Sequence, residues 1–450
     1  MASSEIACPP PAVVTEPRLR AMFAWTLAGN VIYAACQWGM ISVLAKRGTT
    51  AAVGQFALAL AITAPVFMLT NLFLRGIQAT DARNEFVFGE YFTLRALGTV
   101  VGLVAIAVIL LVNQRDSRAW GVIAFVSAAK AVESFTDVIA GLLQKHERLD
   151  QVAISMILKG LCSVLAFSLA FLYWHSLVGA SAAMALTWLV VFFLYDLRVA
   201  RKLLQTGDRY FLWNRAGLIK LAKLAAPVGM VMGLVSLNAN LPRYAVERFR
   251  GNSELGIFAA LAYLVVAVNL IVNALGQSAI ARLSRSFAEG NLRHFRSVLE
   301  RMSLIGLGVA GVGTVFALLC GRTVLRLIYG PAYASHLDLL LMLVGISGIT
   351  AVSSFMGYGM SAARRFREQL PVTLISVGVC AASAYILTPR WGLMGAAAAI
   401  LLSGLAQIAG SFLVLRRALH DAVDSTIQPE IVVPPSACQP VTLLSCGGPE

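Results

Sequence analysis

The chain has 450 residues, of which 58% are hydrophobic and only 13% charged, and its formal net charge is +14. Ordinary soluble domains are about a quarter charged, so this composition, with a mean hydropathy of +0.77, excludes a soluble globular enzyme and points to an all-α polytopic membrane protein. The positive excess then belongs to loops facing the cytoplasm, not to a nucleic-acid partner, because no run of interleaved basic and aromatic residues accompanies it.

In chain order, residues 1–20 hold Pro9, Pro10 and Pro11 but no apolar signal core. They read as a disordered cytoplasmic N-terminus, with the first span as the targeting anchor. Apolar stretches separated by short polar loops then give about twelve spans. Six of them, near residues 22–45, 53–74, 94–112, 119–144, 152–173 and 177–197, form an N-terminal half over 21–200. A basic cytoplasmic linker over 201–218 leads to a second half over 219–417, with spans near 219–241, 256–280, 302–320, 337–361, 370–388 and 393–415. Residues 418–450, rich in Pro, Val and Ser, read as a disordered cytoplasmic tail. Alternate loops carry 23 Lys and Arg on one side and 10 on the other, which places both termini in the cytoplasm. The seven cysteines form no C-x-x-C pair or Cys/His cluster and read as free thiols or small packing residues.

The fourth span, AWGVIAFVSAAKAVESFTDVIAGLLQ, carries Lys130, Glu133 and Asp137. At about 100° per residue these three fall within about 60° of one another, with Ser127, Ser134, Gly141 and Gln144 widening the arc. The opposite face is apolar and compatible with lipid. A charge at the bilayer centre costs at least about 2.5–3.5 kcal/mol, so the stripe faces other helices or a water-filled cavity. A buried ion-pair network that only fixes packing is the plainer reading of the same stripe.

Polar residues share faces in other spans. Asn30 and Gln37 lie with Thr26 and Tyr33 in span one, and Asn269 and Asn273 with Gln277 in span eight. Lys159 in span five has Ser155 and Ser163 one turn away, while Lys223 precedes Pro227 in span seven, with Asn238 and Asn240 deeper. Any one Ser or Asn is explained equally well as interhelical glue, and Lys223 as a side chain reaching back to the interface. The concentration of charges is what favours a cavity: cations for an anionic headgroup such as a diphosphate, and acids that balance them or bind a coupling ion. Pro65 and Pro227 interrupt helix hydrogen bonding and suit helices that bend.

The chain also repeats itself. Gly54, Phe56, Ala57, Val66 and Asn71 match Gly256, Phe258, Ala259, Val268 and Asn273 at an offset of 202, and Leu177, Gly179, Ala180, Ala182 and Ala183 match Leu393, Gly395, Ala396, Ala398 and Ala399 at an offset of 216. Two six-span halves of like orientation around a central cavity are parallel-repeat transporter architecture. No G-x-x-x-x-G-K-[ST], H-E-x-x-H or G-x-S-x-G motif occurs, so neither an ATP-driven pump nor a hydrolase is indicated, and no metal or organic cofactor is expected.

Three stretches resemble a known family. VGQFALALAITAPVFMLTNLFLRGIQATD (Val53–Asp81), ARLSRSFAEGNLRHFRSVLER (Ala281–Arg301) and IYGPAY (Ile328–Tyr333) are similar to segments of bacterial polysaccharide-export flippases of the multidrug/oligosaccharidyl-lipid/polysaccharide superfamily. The resemblance covers residues 20–417. It implies two six-helix bundles in the bacterial inner membrane around a cationic cavity. It also implies flipping of an undecaprenyl-diphosphate-linked oligosaccharide to the periplasmic leaflet by alternating access, driven by a proton or sodium gradient. Polysaccharide polymerase and export proteins become further partners. Lys130, Lys159, Arg75 and Lys223 are then expected to contact diphosphate or acidic sugars, and Glu133 and Asp137 to balance charge or couple to the ion. Asn30, Gln37, Asn71, Asn238, Asn240, Asn269 and Asn273 are expected to bind sugar hydroxyls. A cation-coupled multidrug exporter of the same fold, and a membrane glycosyltransferase or polymerase, are the alternatives.

Overall fold

The computed structural model describes residues 16–81, 83–113, 117–204 and 209–427, and every regular element among them is helical. The first half holds α1 (Glu16–Arg47), α2 (Thr50–Thr70), α3 (Leu74–Thr80), α4 (Phe88–Asn113), α5 (Ser117–Lys145), α6 (Leu149–Trp174), α7 (Leu177–Val191), a π-turn (Phe192–Asp196) and α8 (Leu197–Leu203). The second holds α9 (Arg215–Leu264), α10 (Val266–Ala288), α11 (Leu292–Ile328), α12 (Pro331–Ala334), α13 (Leu337–Ala362) and α14 (Phe366–Ile427). Short polar caps start several of them: Thr49 Oγ1 accepts from the Ala52 N–H, Ser176 Oγ from Gly179, and Asn291 Oδ1 from His294. Helix already occupies 16–20 and 418–427, where disorder was expected, and the remainder of both tails, with Cys8, Cys438 and Cys446, lies outside the described residues. Arg115 lies outside them too.

Nine helical stretches among the described residues are long and apolar enough to cross a bilayer. Two of these are far too long to cross once. A straight 50-residue helix such as α9 would extend about 75 Å, more than twice the hydrocarbon thickness of about 30 Å. Each is broken by a glycine outside helical geometry, Gly251 at φ 83° and Gly392 at φ 58°, and a positive φ is where glycine costs least. At Gly392 the chain folds back on itself, for Ser376 bonds Ser403 across the break and Arg365 bonds Asp421 further out. α5 is not among the nine, because its charged stripe makes it too polar by composition alone.

Pro65 and Pro227 both sit inside continuous helix. The break in span two falls instead at Leu72 and Phe73, which hold φ of 52° and 53°. A Cβ on Gly229 would collide with Leu72, so span seven approaches this kink through a glycine. Small residues provide the other close approaches, as expected where lipid tails remove the usual hydrophobic drive between helices. The two glycines matched by the 202 offset meet one another: a Cβ on Gly54 would strike the Asn252 carbonyl, and one on Gly256 the Thr50 carbonyl. The offset of 202 exchanges these two contacts, since 50 maps to 252 and 54 to 256.

The core divides unevenly. At the end bearing the 47–50, 174–177 and 328–337 turns, one cluster runs through both halves and includes Met40, Phe56, Phe167, Phe258, Tyr329 and Tyr333. Hydrogen bonds cross there as well. Trp38 Nε1 donates to Tyr329 Oη at 2.6 Å and the Tyr244 hydroxyl donates to the Ala61 carbonyl, while Tyr329 itself is held within the second half by donating to the Ala260 carbonyl at 2.9 Å. The hydroxyls of Thr50 and Ser253 lie 2.5 Å apart. At the opposite end, which holds the starts of α1 and α9, there are two separate clusters. One joins α3–α6, the π-turn and α8 to the start of α9, and the other joins α10, α11, α13 and α14.

Asp81 clamps the α3–α4 turn at that second end. It accepts from the Glu85 and Phe86 N–H groups and from the Tyr91 hydroxyl, with Lys145 Nζ 3.7 Å away. Burial pushes its carboxyl up, but the two backbone donors, Lys145 and Tyr91 more than offset that and hold it below the usual carboxylate range.

Candidate functional site

α5 stands at the centre of the first half, packed against α2, α3, α4, α6, α7 and α8. On the side away from the stripe, Ala124, Phe125 and Ala128 are exposed, as a lipid-compatible face requires, whereas Ile139, Leu142 and Leu143 nearer the α6 turn are buried in the core. The polar stripe borders a cavity of about 110 Å³ lined by Tyr33, Arg75, Glu133, Thr136, Asp137, Ser155, Lys159, Trp188 and Asp196 together with apolar residues.

Four ion pairs on three carboxylates make up this wall. Lys130 Nζ contacts Glu133 Oε2 at 2.6 Å, one turn away on the same helix, and lies 5.8 Å above the Trp188 ring. Tyr33 donates to Glu133 Oε1 at 3.3 Å. Asp137 accepts from Arg95 Nη2 at 2.8 Å, with Arg75 Nη1 at 3.7 Å from its other oxygen. Arg75 in turn donates to Gln144 at 3.2 Å. Lys159 Nζ bonds Asp196 Oδ2 at 2.5 Å and Thr136 Oγ1 at 2.6 Å, while Ser155 donates to Asp196 Oδ1 at 2.6 Å.

The pairs differ in access. Lys159 and Asp196 side chains are 5% and 2% exposed, whereas Lys130 and Glu133 are 25% and 37% exposed. Arg95 is fully buried, and its Nε and Nη1 have no partner among the described residues. Of the expected substrate contacts, Arg75, Lys130 and Lys159 are therefore brought together with Glu133 and Asp137. Lys223 is exposed near the start of α9 and does not line the cavity.

The amides scatter. Asn30 is bonded to the Thr26 carbonyl of its own helix, Gln37 is half-buried one turn from Tyr33, and Asn71 caps α2 with its Oδ1 unpartnered. Asn238 joins Ser376 and Ser403, and Asn240 accepts from Arg243. Asn269 and Asn273 are exposed on α10, where Tyr358 donates to Asn273 at 3.2 Å.

Arg95 and Asp196 were not among the expected site residues. Arg95 reads as one of the loop arginines because it stands near the start of an apolar run, yet α4 begins at Phe88 and carries it inside. Asp196 reads as an interfacial end of span six. The π-turn closes with the Leu197 N–H on the Phe192 carbonyl, which adds one residue to the turn and rotates α8 by about 100° relative to unbroken α-helix. An acid and a lysine in neighbouring apolar runs were the available signal.

A family model described as "Polysaccharide biosynthesis protein" matches residues 19–287. The capsular polysaccharide biosynthesis protein CapF of Staphylococcus aureus is 25% identical over 393 residues, covering 85% of this chain and 95% of that protein. Among solved structures, an inward-facing multidrug resistance MATE family transporter of the MOP superfamily superimposes with a TM-score of 0.69 at 15% identity, over 89% of this chain and 99% of that one. An outward-facing MATE family transporter gives 0.60 at 16% identity, over 91% and 96%. The fold is that of these MOP-superfamily transporters.

Proposed function

Because the chain belongs to the polysaccharide biosynthesis protein family, we propose that it is a flippase for a polyprenyl-diphosphate-linked oligosaccharide, moving the repeat unit from the cytoplasmic to the periplasmic leaflet. The observation that carries this reading is the charged wall within the first half. Four bases (Arg75, Arg95, Lys130 and Lys159) pair with three acids (Glu133, Asp137 and Asp196), and of these Arg75, Lys159 and all three acids line one cavity. Lipid-linked glycan is the substrate class that the family implies, and its diphosphate needs cations that are already desolvated and held in place.

Nine apolar stretches, α5, and the return limbs of α9–α10 and α14 make twelve crossings in two halves. Both termini face the cytoplasm of a bacterial inner membrane. The halves share one core at the periplasmic end and keep two at the cytoplasmic end, so this form is open inward.

Each base lies against a carboxylate, with Arg75 and Arg95 sharing Asp137. An arriving diphosphate competes for the accessible bases, Lys130 and Arg75, and frees Glu133 to take up the coupling proton or sodium ion, while Asp137 stays to balance Arg95. Lys159 and Arg95 remain locked to their acids and hold the wall in shape. Asn269 and Asn273, exposed on α10 of the second half, offer hydrogen bonds to sugar. The reaction is transport, with no covalent chemistry, and polymerase and export proteins act downstream. The fold neighbours are multidrug transporters, which supports drug export as the second reading; it predicts a resistance phenotype.

The test is the leaflet in which lipid-linked sugar accumulates in a strain lacking the gene, read by accessibility to a periplasmic glycosidase. Intermediates held on the cytoplasmic side, restored by wild type but reduced about tenfold with Lys130→Ala or Arg75→Gln at equal abundance, are expected; tenfold is the loss of one charge-assisted bond of about 1.4 kcal/mol. Normal translocation without the gene overturns the flippase. Full rescue by both variants leaves the wall structural.

A further inference from the structure

We propose that a groove between the start of α11 and the end of α14 is a headgroup site for an anionic phospholipid of the surrounding leaflet. The groove has a volume of about 580 Å³ and is lined by Arg293, Arg296, Ser297, Glu300, Arg416 and His420, with Leu292 and Leu419. Three guanidinium groups face one carboxylate, and all three arginines are exposed. The start of α11 adds the positive end of a 37-residue helix.

Position along both helices makes this more than a basic patch. On α11, Leu304 stands one turn beyond Glu300 and is 67% exposed, with Leu307 exposed beyond it. On α14, Phe412 precedes Arg416 by one turn and is 54% exposed, with Leu405 exposed two turns further in. On α14 the outward apolar stripe therefore gives way to an arginine within one turn, and on α11 to Glu300 within one turn and Arg296 within two. The two changes meet at the same groove because the helices run in opposite directions there. That is the geometry of a lipid: acyl chains along Leu304 and Phe412, and a phosphate between the arginines, whose planar forks suit paired bonds to phosphate oxygens.

Every lining residue comes from α11 or α14 in the second half, whereas the charged wall belongs to the first. The occupant is thus a resident lipid of the leaflet rather than the translocated headgroup. A bilayer phospholipid is also present in great excess there, and its two chains match two exposed apolar stripes. The groove exceeds what a bare phosphate fills and has room for the glycerol of a phosphatidylglycerol.

The experiment places the full-length protein in nanodiscs of equal parts phosphatidylglycerol and phosphatidylcholine and measures the lipid retained on extraction by mass spectrometry. Phosphatidylglycerol is expected to be enriched over the bulk ratio. The enrichment should fall about fivefold for each of Arg293→Gln, Arg296→Gln and Arg416→Gln, and partly survive when all three are changed to Lys. Arg322→Gln with Arg326→Gln, at the other end of α11, should leave it intact. Equal enrichment in the triple Gln variant, at an unchanged thermal midpoint, overturns the site. Displacement of the lipid by millimolar glycerol phosphate overturns the lipid as its occupant, since a free anion would then suffice.

Discussion

Lys159 and Asp196 illustrate how a membrane interior tolerates full charges. Each hides its charge in the other, and Thr136 and Ser155 occupy the remaining donors and acceptors. Removing one member strands the other, at a cost of about 3–5 kcal/mol, whereas replacing both with apolar residues of similar volume is close to neutral. Lys159→Ala and Asp196→Ala should each lower the thermal midpoint in detergent sharply. Lys159→Met combined with Asp196→Leu should recover most of that loss; a double variant no better than the singles would show that the hydroxyl partners, not the charges, hold the site. At this scale the sequence was partly legible. Lys130, Glu133 and Asp137 share a face by simple periodicity, and the structure keeps them there. Arg95 and Asp196 escaped because a lone charge near the end of an apolar run looks interfacial, and only the π-turn turns Asp196 inward. The amides were the least legible, since Asn238 and Asn240 are spent on hydrogen bonds within the second half.

Span two is where local rules and the chain diverge. Proline marks bends in sequence, yet α2 runs through Pro65 and breaks at Leu72 and Phe73, two residues with no intrinsic preference for positive φ. Tertiary packing imposes the break, with Gly229 accommodating it and the short α3 beyond it carrying Arg75 to Asp137. The turn between α3 and α4 is held by Asp81, whose folded value lies below its unfolded one. Its contribution is therefore complete above the ordinary carboxylate value of about 3.9 and disappears as pH falls through the lower folded value. An acid titration of thermal stability should show a limb in wild type that is blunted in Asp81→Asn, and matching limbs would remove the clamp from the account. The apolar centres of the helices were otherwise readable, because long apolar runs leave few alternatives, but their ends were not: α11 runs from Leu292 to Ile328, well beyond the span expected at 302–320.

The shared core and crossing hydrogen bonds at one end make the molecule a clasp. The IYGPAY stretch, one of the three that carry the family resemblance, supplies Tyr329 and Tyr333 to that core and ties α1 to α9 through Trp38 and Ala260. If transport requires this end to part, joining it covalently should stop the cycle. Thr50→Cys with Ser253→Cys, at positions whose hydroxyls are 2.5 Å apart, should abolish sugar translocation under oxidation and recover it with reductant. Unimpaired translocation by a fully cross-linked protein would mean that the clasp never opens. The internal repeat was legible as an offset of 202 residues. That the matched glycines would be the very place where the halves touch was not, because a sequence offset carries no information about which copies face each other.

The placement of α5 has a consequence for biogenesis. Lys130 and Glu133 pair within this helix, but Asp137 has no partner on it, so α5 alone is a poor candidate to leave the translocon for lipid. Its Asp137 partner Arg95 arrives earlier, on α4, but Lys159 and Asp196, which complete the wall, are synthesised later. The nascent α4–α5 hairpin therefore satisfies its own charges, whereas α6 has to wait beside the translocon until Asp196 in the π-turn after α7 emerges to pair Lys159, so that the helices enter the membrane in pairs rather than one at a time.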